Sequence, residues 1–350
     1  MSGHVPTPEQ QWISDEADHR RLVPPWEIRA DRAAGALIGA ACGDALGVPY
    51  EFQPRLADDV APVMRGGGLG PYAPGEYSDD TQMQAVIAQV AASGLALDED
   101  PAQRAIAEGF IGWMAGGASD IGAQTRRVLY TARTAGGDPL EAIRAAAKQI
   151  HEQTGRSAGN GSLMRTGVVG LAFLDGSDPV QRCRDAARAI SGLTHYDPLA
   201  GDACVLWSEG VRQAVLDSGP GGWRFGGVRD ALRLLPVERR EQWAAWLDEA
   251  QEKPPHAFQP NGFVVPALQA AWSAIHRTRI PEHPEDHFRL ALEAAVRAGD
   301  DTDTVAAIAG VLLGAAWGRA AIPEEWQRKV HGWPGLRADD LAAIATRIIG

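Results

Sequence analysis

Cysteine is scarce in this chain of 350 residues, which contains only Cys42, Cys183 and Cys204. The three are scattered, their number is odd, and no two have the CxxC spacing of a zinc or redox site. This pattern argues against a disulfide-stabilised scaffold and against a cysteine-bound zinc ion. It is typical of a reducing compartment, and we therefore expect a cytoplasmic protein.

The sequence also lacks a strongly basic stretch. Its 33 Lys and Arg residues are outnumbered by 45 Asp and Glu residues, which gives a formal net charge of −12. A broad nucleic-acid-binding surface is not expected, because such surfaces neutralise phosphates with clustered cations. An anionic small-molecule substrate is still compatible with this charge, since bound metal ions can invert the charge of a site.

The apolar runs predict neither a secretion signal nor a membrane span. Residues 1–32 are polar and lack the basic start and apolar centre of a signal peptide. The longest apolar runs, at 33–43 and 305–318, are shorter than the roughly 18–20 residues that a membrane span requires. We expect a soluble monomer with no membrane partner.

Patterns typical of β-strands hardly occur, whereas helical signals recur along the whole chain. The apolar run from Ala33 carries Gly35, Gly39 and Gly43 on one face of the predicted helix. Because glycine weakens a helix, three glycines at this spacing indicate that another backbone packs closely against that face.

The helical signals predict one domain rather than several. Candidate helices follow Asp, Ser or Pro, as at 81–92 and 302–317, and residues 162–173 are also predicted to form a helix. The Gly/Pro-rich stretches between helices are typical of loops rather than domain linkers. We predict an all-α fold, a compact single-domain orthogonal helical bundle over residues 26–350. Residues 1–25 are predicted to be a poorly ordered or surface-lying extension.

Two short acidic clusters precede strongly apolar helices. The first is Ser-Asp-Asp-Thr at 78–81, and the second is Asp-Asp-Thr-Asp-Thr at 300–304. Neither cluster itself contains Lys or Arg. Carboxylates and hydroxyls at two buried helix starts need a cation, which favours hard divalent ions held by oxygen ligands.

Helix capping is the alternative interpretation of an Asp pair before a helix, where the helix dipole stabilises each carboxylate by roughly 0.3–1 kcal/mol. The second cluster shifts the balance, because the helix after it has no polar face and its N-terminus should open inside a cleft. Neither cluster contains His or has the spacing of an EF-hand loop, which disfavours zinc and a calcium-binding loop. The two clusters together predict a two-metal centre.

Five elements of the sequence, in this order, resemble signatures of the ADP-ribosylglycohydrolase family. They are Gly43-Asp44-Ala45-Leu46-Gly47-Val48-Pro49-Tyr50-Glu51-Phe52, Tyr77-Ser78-Asp79-Asp80-Thr81, Gly159-Asn160-Gly161-Ser162-Leu163-Met164-Arg165, Thr194-His195 with Ala203-Cys204, and Gly299-Asp300-Asp301-Thr302-Asp303-Thr304. Each element alone would be weak evidence for this resemblance, but the ordered set over residues 35–318 is specific for the family.

The resemblance implies an all-α fold with two Mg²⁺ or Mn²⁺ ions at the base of a central cleft. It assigns metal ligation to Ser78, Asp79, Asp80, Asp301, Asp303 and Thr304. Asp300 stands where the family more often has Gly, so we place it outside the ligand set. Glu51 matches the glutamate of the family's mobile loop, which approaches the metals and the scissile bond.

The resemblance also implies a ligand-binding surface, formed by Gly122, Ser157, Gly159, Asn160, Gly161 and His195. The glycine loop at 157–161 matches the part of the family that holds the pyrophosphate and the distal ribose. Independently of the family, backbone N–H groups at Gly159 and Gly161 can approach phosphate oxygens, because no Cβ stands in the way. A simple turn at this loop and a structural histidine at 195 are the alternative interpretations.

These assignments imply a metal-dependent hydrolase that releases ADP-ribose from an ADP-ribosylated protein or a small conjugate. Glu51, Asp79, Asp80 and Asp303 are the expected catalytic residues, and arginine is the favoured acceptor. Serine-linked or acetyl-linked ADP-ribose is the alternative, as is a catalytically silent relative that only binds ADP-ribose. A helical phosphohydrolase is disfavoured, since none of the nine His residues adjoins either acidic cluster. Residues 218–262 resemble an insertion that could form a partner or substrate surface.

Overall fold

The computed structural model describes residues 23–218, 224–283 and 285–350, and in these ranges the chain is mostly helical. The helices are α1 Trp26–Gly47, α2 Asp79–Ala92, α3 Asp100–Ala115, α4 Ala123–Ala135, α5 Pro139–Thr154, α6 Leu163–Thr166, α7 Pro179–Gly192, α8 Pro198–Leu216, α9 Gly227–Asp230, α10 Val237–Glu252, α11 Val264–Arg277, α12 Asp286–Val296, α13 Thr302–Trp317, α14 Glu324–Lys329 and α15 Ala338–Ile349. Single 3₁₀ segments occur at Val48–Tyr50, Asn160–Ser162, Gly167–Phe173, Ala231–Leu234, Pro255–Ala257 and Arg319–Ala321. The predicted helical class is confirmed. The extension predicted at 1–25 lies outside the described residues, apart from 23–25.

The helices α1 and α13 form the centre of the fold. A Cβ built at Gly35 would lie 2.5 Å from the carbonyl oxygen of Gly314, and one at Gly39 would collide with the carbonyl oxygen of Gly310. The two backbones are therefore in direct contact, because glycines face each other across the pair. The close approach predicted from the glycine spacing is confirmed. It brings the C-terminal end of α1 against the N-terminal end of α13.

Among the described residues, one segment, Trp26–Tyr50, is long and apolar enough to cross a membrane by length and composition, with a mean hydropathy of 1.2. All of its most apolar window is buried inside the protein. This segment comprises α1 and the 3₁₀ turn that follows, so its apolar surface packs against the other helices of the body. Its hydropathy is that of a helix at the centre of a core.

The single helix predicted at 162–173 is wrong. The structure has a 3₁₀ turn, the short α6 and a longer 3₁₀ segment in its place. Glycine disfavours a regular helix, and here it permits contact with α8, since a Cβ at Gly170 would collide with the carbonyl oxygen of Ser208. The hydroxyl of Ser208 donates to the carbonyl of Thr166 at 2.9 Å, which fixes this packing. The tighter 3₁₀ winding follows from that tertiary contact.

A small β-hairpin near the C-terminus was not expected from the sequence. Its strands are β1 His331–Gly332 and β2 Leu336–Arg337, and they pair antiparallel with His331 opposite Arg337. Each strand has only two residues, so no alternating pattern could have shown it.

The connection between α1 and α2 begins with a turn that carries Glu51. The backbone N–H of Phe52 donates to the carbonyl of Asp300 at 2.8 Å. Arg55 donates to the carbonyl of Arg297 at 3.2 Å, and Arg297 in turn donates to the carbonyl of Val60 at 2.9 Å. These bonds hold the Glu51 turn against the chain that leads into α13.

Candidate metal centre and ligand cleft

The two acidic clusters meet where α2 and α13 begin, beside the last turn of α1. Ser78 is the N-cap residue of α2 and Asp301 that of α13, and neither side chain caps its own helix with a hydrogen bond. The hydroxyl of Ser78 instead donates to Asp44 Oδ1, on α1, at 2.8 Å. Capping therefore does not account for these polar groups, which converge on one another across three helices.

The carboxylates form two overlapping groups that share Asp303. In the first group, one oxygen from each of Asp44, Asp80 and Asp303 lies within 4.8 Å of the others. In the second, the same holds for Glu51, Asp301 and Asp303. All five side chains are buried. Within the described chain, none of them makes an ion pair with Lys or Arg, so their negative charges reinforce one another.

The pKa values of these carboxyls reflect burial and mutual repulsion. Burial, followed by the charges of Asp301, Asp120, Asp79 and Asp44, raises the pKa of Glu51 to about 9. Burial also raises the pKa of Asp44 to about 6, although hydrogen bonds from residues 78 and 81 oppose this shift. The same causes raise the pKa values of Asp80 and Asp303 well above their usual range.

Two observations show that the donor set fits divalent cations. Asp80 Oδ1 is buried and has no hydrogen-bond partner, which is costly for a carboxylate oxygen. The hydroxyl of Ser78 carries a single proton, yet its oxygen lies 2.8 Å from Asp44, 3.0 Å from Asp80 and 3.4 Å from Asp303. Only one of these contacts can be a hydrogen bond from Ser78, and a hard cation would satisfy the remaining oxygens.

Asp44 is the main site residue that the sequence reasoning missed. It is fully buried, and its carboxylate accepts the N–H and hydroxyl of Ser78 at 2.8 Å each. It also accepts the N–H of Thr81 at 2.9 Å and its hydroxyl at 2.6 Å. The available signal was a single carboxylate within the apolar stretch 33–47, since an ionised group so placed needs partners.

The glycine loop is joined to the second acidic cluster through two asparagines. Asn160 Nδ2 donates to Asp301 Oδ2 at 2.8 Å and to the carbonyl of Asn261 at 2.9 Å. Asn261, which is fully buried, donates to the carbonyl of Gly299 at 2.9 Å and accepts the N–H of Asp301 through Oδ1 at 2.9 Å. The loop and the carboxylates therefore belong to one hydrogen-bonded unit. No local pattern marked Asn261, because its partners lie far away in the sequence.

Asp79 lies apart from the two close groups and faces the loop before α4. Burial raises its pKa well above the usual range, and the charge of Asp120 adds to this, whereas a hydrogen bond from the N–H of Gly122 lowers it. Gly122 is the N-cap residue of α4. Gly122, a predicted ligand-binding residue, is thus brought to the edge of the acidic cluster. The nearby carboxylate of Asp120 had no role in the sequence analysis.

Ser157 lies at the start of the glycine loop, and its side chain is engaged within the protein. It is buried, and its hydroxyl lies 2.6 Å from Nδ1 of His151. Gln124 Nε2 donates to the carbonyls of Ser157 and Thr194 at 3.0 Å each. This amide joins α4, the glycine loop and the segment that precedes α8.

His195 packs directly on the glycine loop. A Cβ built at Gly159 would lie 3.1 Å from His195 Nε2, and one at Gly161 would lie 3.1 Å from Cε1. The missing side chains at these glycines thus make room for the imidazole as well as for a ligand, which the sequence reasoning did not anticipate.

Thr304, the last predicted metal ligand, is buried at the start of α13, and its N–H donates to Asp303 Oδ1 at 2.9 Å.

Comparison with known proteins places this site in a family. The family model described as ADP-ribosylglycohydrolase matches residues 25–350. The chain belongs to the ADP-ribosylglycohydrolase family. The resemblance stated from the five sequence elements is therefore confirmed.

Relatives of the chain in this family include bacterial and human enzymes. The chain is 28% identical over 326 residues to "ADP-ribosylarginine hydrolase Tri1" of Pseudomonas putida, covering 93% of this chain and 80% of that protein. It is 28% identical over 310 residues to "ADP-ribosyl-[dinitrogen reductase] glycohydrolase" of Rhodospirillum rubrum, covering 86% of this chain and 90% of that protein. It is 26% identical over 339 residues to human "ADP-ribosylhydrolase ARH3", also covering 86% of this chain and 90% of that protein. These relatives are named as glycosidase-type hydrolases, which confirms the predicted enzyme class.

A solved structure titled "ADP-ribosylglycohydrolase-related protein complex" has a similar fold. It superposes with a TM-score of 0.67 at 28% identity, covering 92% of this chain and 98% of that one. The similarity extends over nearly the whole chain, so the predicted ADP-ribosylglycohydrolase-like fold is confirmed.

Proposed function

We propose that the chain hydrolyses the glycosidic bond between ADP-ribose and an acceptor, with protein arginine as the favoured acceptor. One observation carries the proposal. The carboxylate cluster and the glycine loop are joined by the hydrogen bond from Asn160 Nδ2 to Asp301 Oδ2 at 2.8 Å. A reacting ribose can therefore lie at the carboxylates while its diphosphate lies at the loop.

Two Mg²⁺ or Mn²⁺ ions are the proposed cofactors. Residues that would hold them are Ser78, Asp79, Asp80, Asp301, Asp303 and Thr304. The close groups add Glu51 and Asp44 to the candidates, and Asp44 would also orient Ser78 and Thr81. When bound, such ions supply Lewis-acid polarisation and a bound water of lowered pKa.

Glu51 is the proposed proton carrier. Its side chain is buried and lies in the same close group as Asp301 and Asp303. Burial, followed by repulsion from neighbouring carboxylates, raises the pKa of Glu51 and favours its protonated form, and a bound cation would oppose that effect. Glu51 can therefore exchange a proton with water or with the leaving group as the charge around it changes.

An arginine acceptor is supported by the acidity of the cleft. Asp120 and Asp79 interact with each other and with Glu51, and a guanidinium departing from the ribose would find carboxylates on that side. Two relatives bear names that refer to arginine or to dinitrogen reductase, whereas ARH3 carries a name that specifies no acceptor.

A panel assay tests the proposal. Arginine-, serine- and acetyl-linked ADP-ribose are each incubated with the protein and Mg²⁺ or Mn²⁺, and released ADP-ribose is quantified. Release from the arginine conjugate, abolished by EDTA and restored by metal, is the expected result. Preferential release from serine or acetate would support O-linked hydrolysis instead.

A catalytically silent relative predicts a different outcome for the same samples. It would bind ADP-ribose in calorimetry with Mg²⁺ present, and it would release none from any conjugate. The Asp80→Asn variant serves as the matched control, because it removes one anionic oxygen from the first close group while keeping the side-chain shape.

A further inference from the structure

A fully buried arginine lies beneath the glycine loop and has no role in the proposed chemistry. Arg165 is in α6, and its Nη1 donates to the carbonyl of Gly161 at 3.0 Å. Its guanidinium carbon lies 4.7 Å from the centre of the Phe110 ring. Over the described ranges Arg165 makes no ion pair with a carboxylate, and its Nε is buried without a hydrogen-bond partner. An unpaired buried cation is costly, so its retention calls for an explanation.

Besides a contact of Nη1 with Met83 Sδ at 3.6 Å, Arg165 makes a hydrogen bond that leads to the imidazole of His195. Arg165 Nη2 donates to the hydroxyl oxygen of Thr194 at 2.7 Å. That same oxygen lies 2.8 Å from Nδ1 of His195. An arginine can only donate, so the Thr194 oxygen accepts from it and keeps its own proton to give away.

The direction of the second hydrogen bond follows from this. Among the described residues, Nδ1 of His195 is the one acceptor that the structure places at bonding distance from the Thr194 hydroxyl. The hydroxyl therefore donates to Nδ1, and in a neutral imidazole the proton must then reside on Nε2. Nε2 is the atom nearest to the Cβ position of Gly159, at 3.1 Å, and it lies 3.3 Å from that of Gly161.

We propose that Arg165 and Thr194 form a relay that fixes His195 in its Nε2–H tautomer, so that a neutral N–H donor faces the anionic part of the ligand at the glycine loop. The identity of that ligand as an ADP-ribosyl diphosphate rests on the proposed function. The tautomer does not, since it follows from contacts within the protein. Arg165 and Thr194 act through His195 and are positioning residues.

Electrostatics support a neutral His195. Burial, followed by the charge of Arg165, lowers the pKa of His195 to about 3. The imidazole would thus remain an N–H donor of constant charge over the physiological range. The same buried cation lies on the protein side of the loop, where its field favours an anion on the opposite side.

Nitrogen NMR of protein labelled with ¹⁵N-histidine tests the tautomer in the free protein. The expected spectrum shows His195 with a protonated Nε2 and an unprotonated, hydrogen-bonded Nδ1 at pH 7. Assignment comes from a His195→Gln variant. Thr194→Ser keeps the hydroxyl and should preserve this pattern, whereas Thr194→Val should weaken the Nε2–H preference. A protonated Nδ1, or an imidazolium at pH 7, would overturn the relay.

Calorimetry with ADP-ribose tests the functional consequence. We expect Thr194→Val to bind ADP-ribose about tenfold more weakly, the effect of one misdirected hydrogen bond, and Thr194→Ser to bind like the wild type. Mn²⁺ affinity should be unchanged in both, because Thr194 touches no proposed metal ligand. Thr166→Val is the matched control, since it removes another buried hydroxyl, one that bonds to the carbonyl of Ser162.

The outcomes separate this inference from the proposed function. Wild-type affinity in a folded Thr194→Val protein would overturn the functional part of the relay while leaving hydrolysis intact. If the wild type fails to bind ADP-ribose, the ligand assignment and the proposed function both fail, and the NMR spectrum still decides the tautomer. If Thr194→Val does not fold, the nitrogen NMR spectrum of the wild type decides the relay, because a protonated Nδ1 on His195 would overturn it.

Discussion

At the scale of single residues, neighbouring carboxylates in one cluster differ in what they contact. Asp301 and Asp303 belong to the close groups, whereas Asp300 does not. The backbone of Asp300 is left-handed, with φ of 63°, and its carboxylate accepts the N–H of Asn261 at 3.1 Å. Its carbonyl accepts the N–H of Phe52 at 2.8 Å. Asp300 therefore ties the Glu51 turn to the Asn261 segment, although it lies next to a predicted metal ligand.

Substitution of Asp300 should separate these structural roles. Asn also tolerates a left-handed backbone and keeps an oxygen acceptor, so Asp300→Asn should leave the free energy of unfolding nearly unchanged. Asp300→Ala combines the left-handed strain with a lost hydrogen bond and should cost about 2 kcal/mol. Urea denaturation of both variants measures the difference. Equal stability of the two would contradict this account.

Glu51 carries the sharpest prediction for activity. Glu51→Gln keeps the shape and the burial of the side chain but cannot exchange a proton, so kcat should fall by about 10²- to 10⁴-fold. The measurement is release of ADP-ribose from the arginine conjugate at saturating Mg²⁺. Glu99→Gln, a change at the N-cap position of α3, provides the control. Turnover of Glu51→Gln within a few fold of the wild type would rule out the proposed proton transfer.

At the scale of elements, the contact between α1 and α13 decides where the site forms. Gly39 and Gly310 face each other so closely that a Cβ on either residue would meet the backbone of the other helix. Moving the helices apart would displace Asp44 on α1 from Asp303 on α13, although both belong to one close group. The packing of apolar backbones thus sets the spacing of the carboxylates.

Gly→Ala substitutions should show this coupling. Gly39→Ala should destabilise the protein by about 3 kcal/mol or more through overpacking, and it should also weaken Mn²⁺ binding. Gly112→Ala is the matched control, because a Cβ at Gly112 in α3 meets nothing within 4 Å. There the better helix propensity of Ala should add about 0.5–1 kcal/mol of stability. Thermal melts measure the change in stability, and calorimetry measures the change in Mn²⁺ affinity. If Gly39→Ala left the stability unchanged, the tight contact between α1 and α13 would be refuted.

At the scale of the whole molecule, the buried cluster links stability, metal and pH. The folded-state pKa of Glu51, about 9, lies above its value in an unfolded chain, and the pKa values of Asp80 and Asp303 are also raised. The native state therefore holds more protons than the unfolded state, so the free energy of unfolding falls as pH rises through this range. His195 has the opposite effect only below its unfolded pKa, roughly 6.5.

Metal removal should expose this linkage. Without divalent ions, the urea midpoint should fall between pH 7 and pH 9, as the buried carboxyls lose their protons. Mg²⁺ or Mn²⁺ should raise the midpoint, and by more at pH 9 than at pH 7, because the ions bind the ionised form. Paired titrations in EDTA and in metal measure the difference at each pH. If the urea midpoints in metal and in EDTA differed by the same amount at pH 7 and at pH 9, a cation bound to these carboxylates would be contradicted.

The sequence by itself determined the helical class, the close approach at Gly35, Gly39 and Gly43, and the family. Those features depend on local periodicity, on backbone volume and on ordered motifs, all of which can be read along the chain. The sequence also placed the two acidic clusters at helix starts, because caps and apolar runs are local signals. The irregular winding at 162–173 could not be read in this way, since α8 imposes it.

Only the tertiary structure decided which side chains share the cleft. Asp44 joined the carboxylates and Asn261 joined the glycine loop to Asp301, through partners distant in the sequence. The direction of the Arg165–Thr194–His195 contacts also required three-dimensional geometry, because a hydrogen bond has a donor and an acceptor only once its atoms meet. The physical reason is general, since burial and long-range hydrogen bonds arise from packing and leave no periodic trace in the chain.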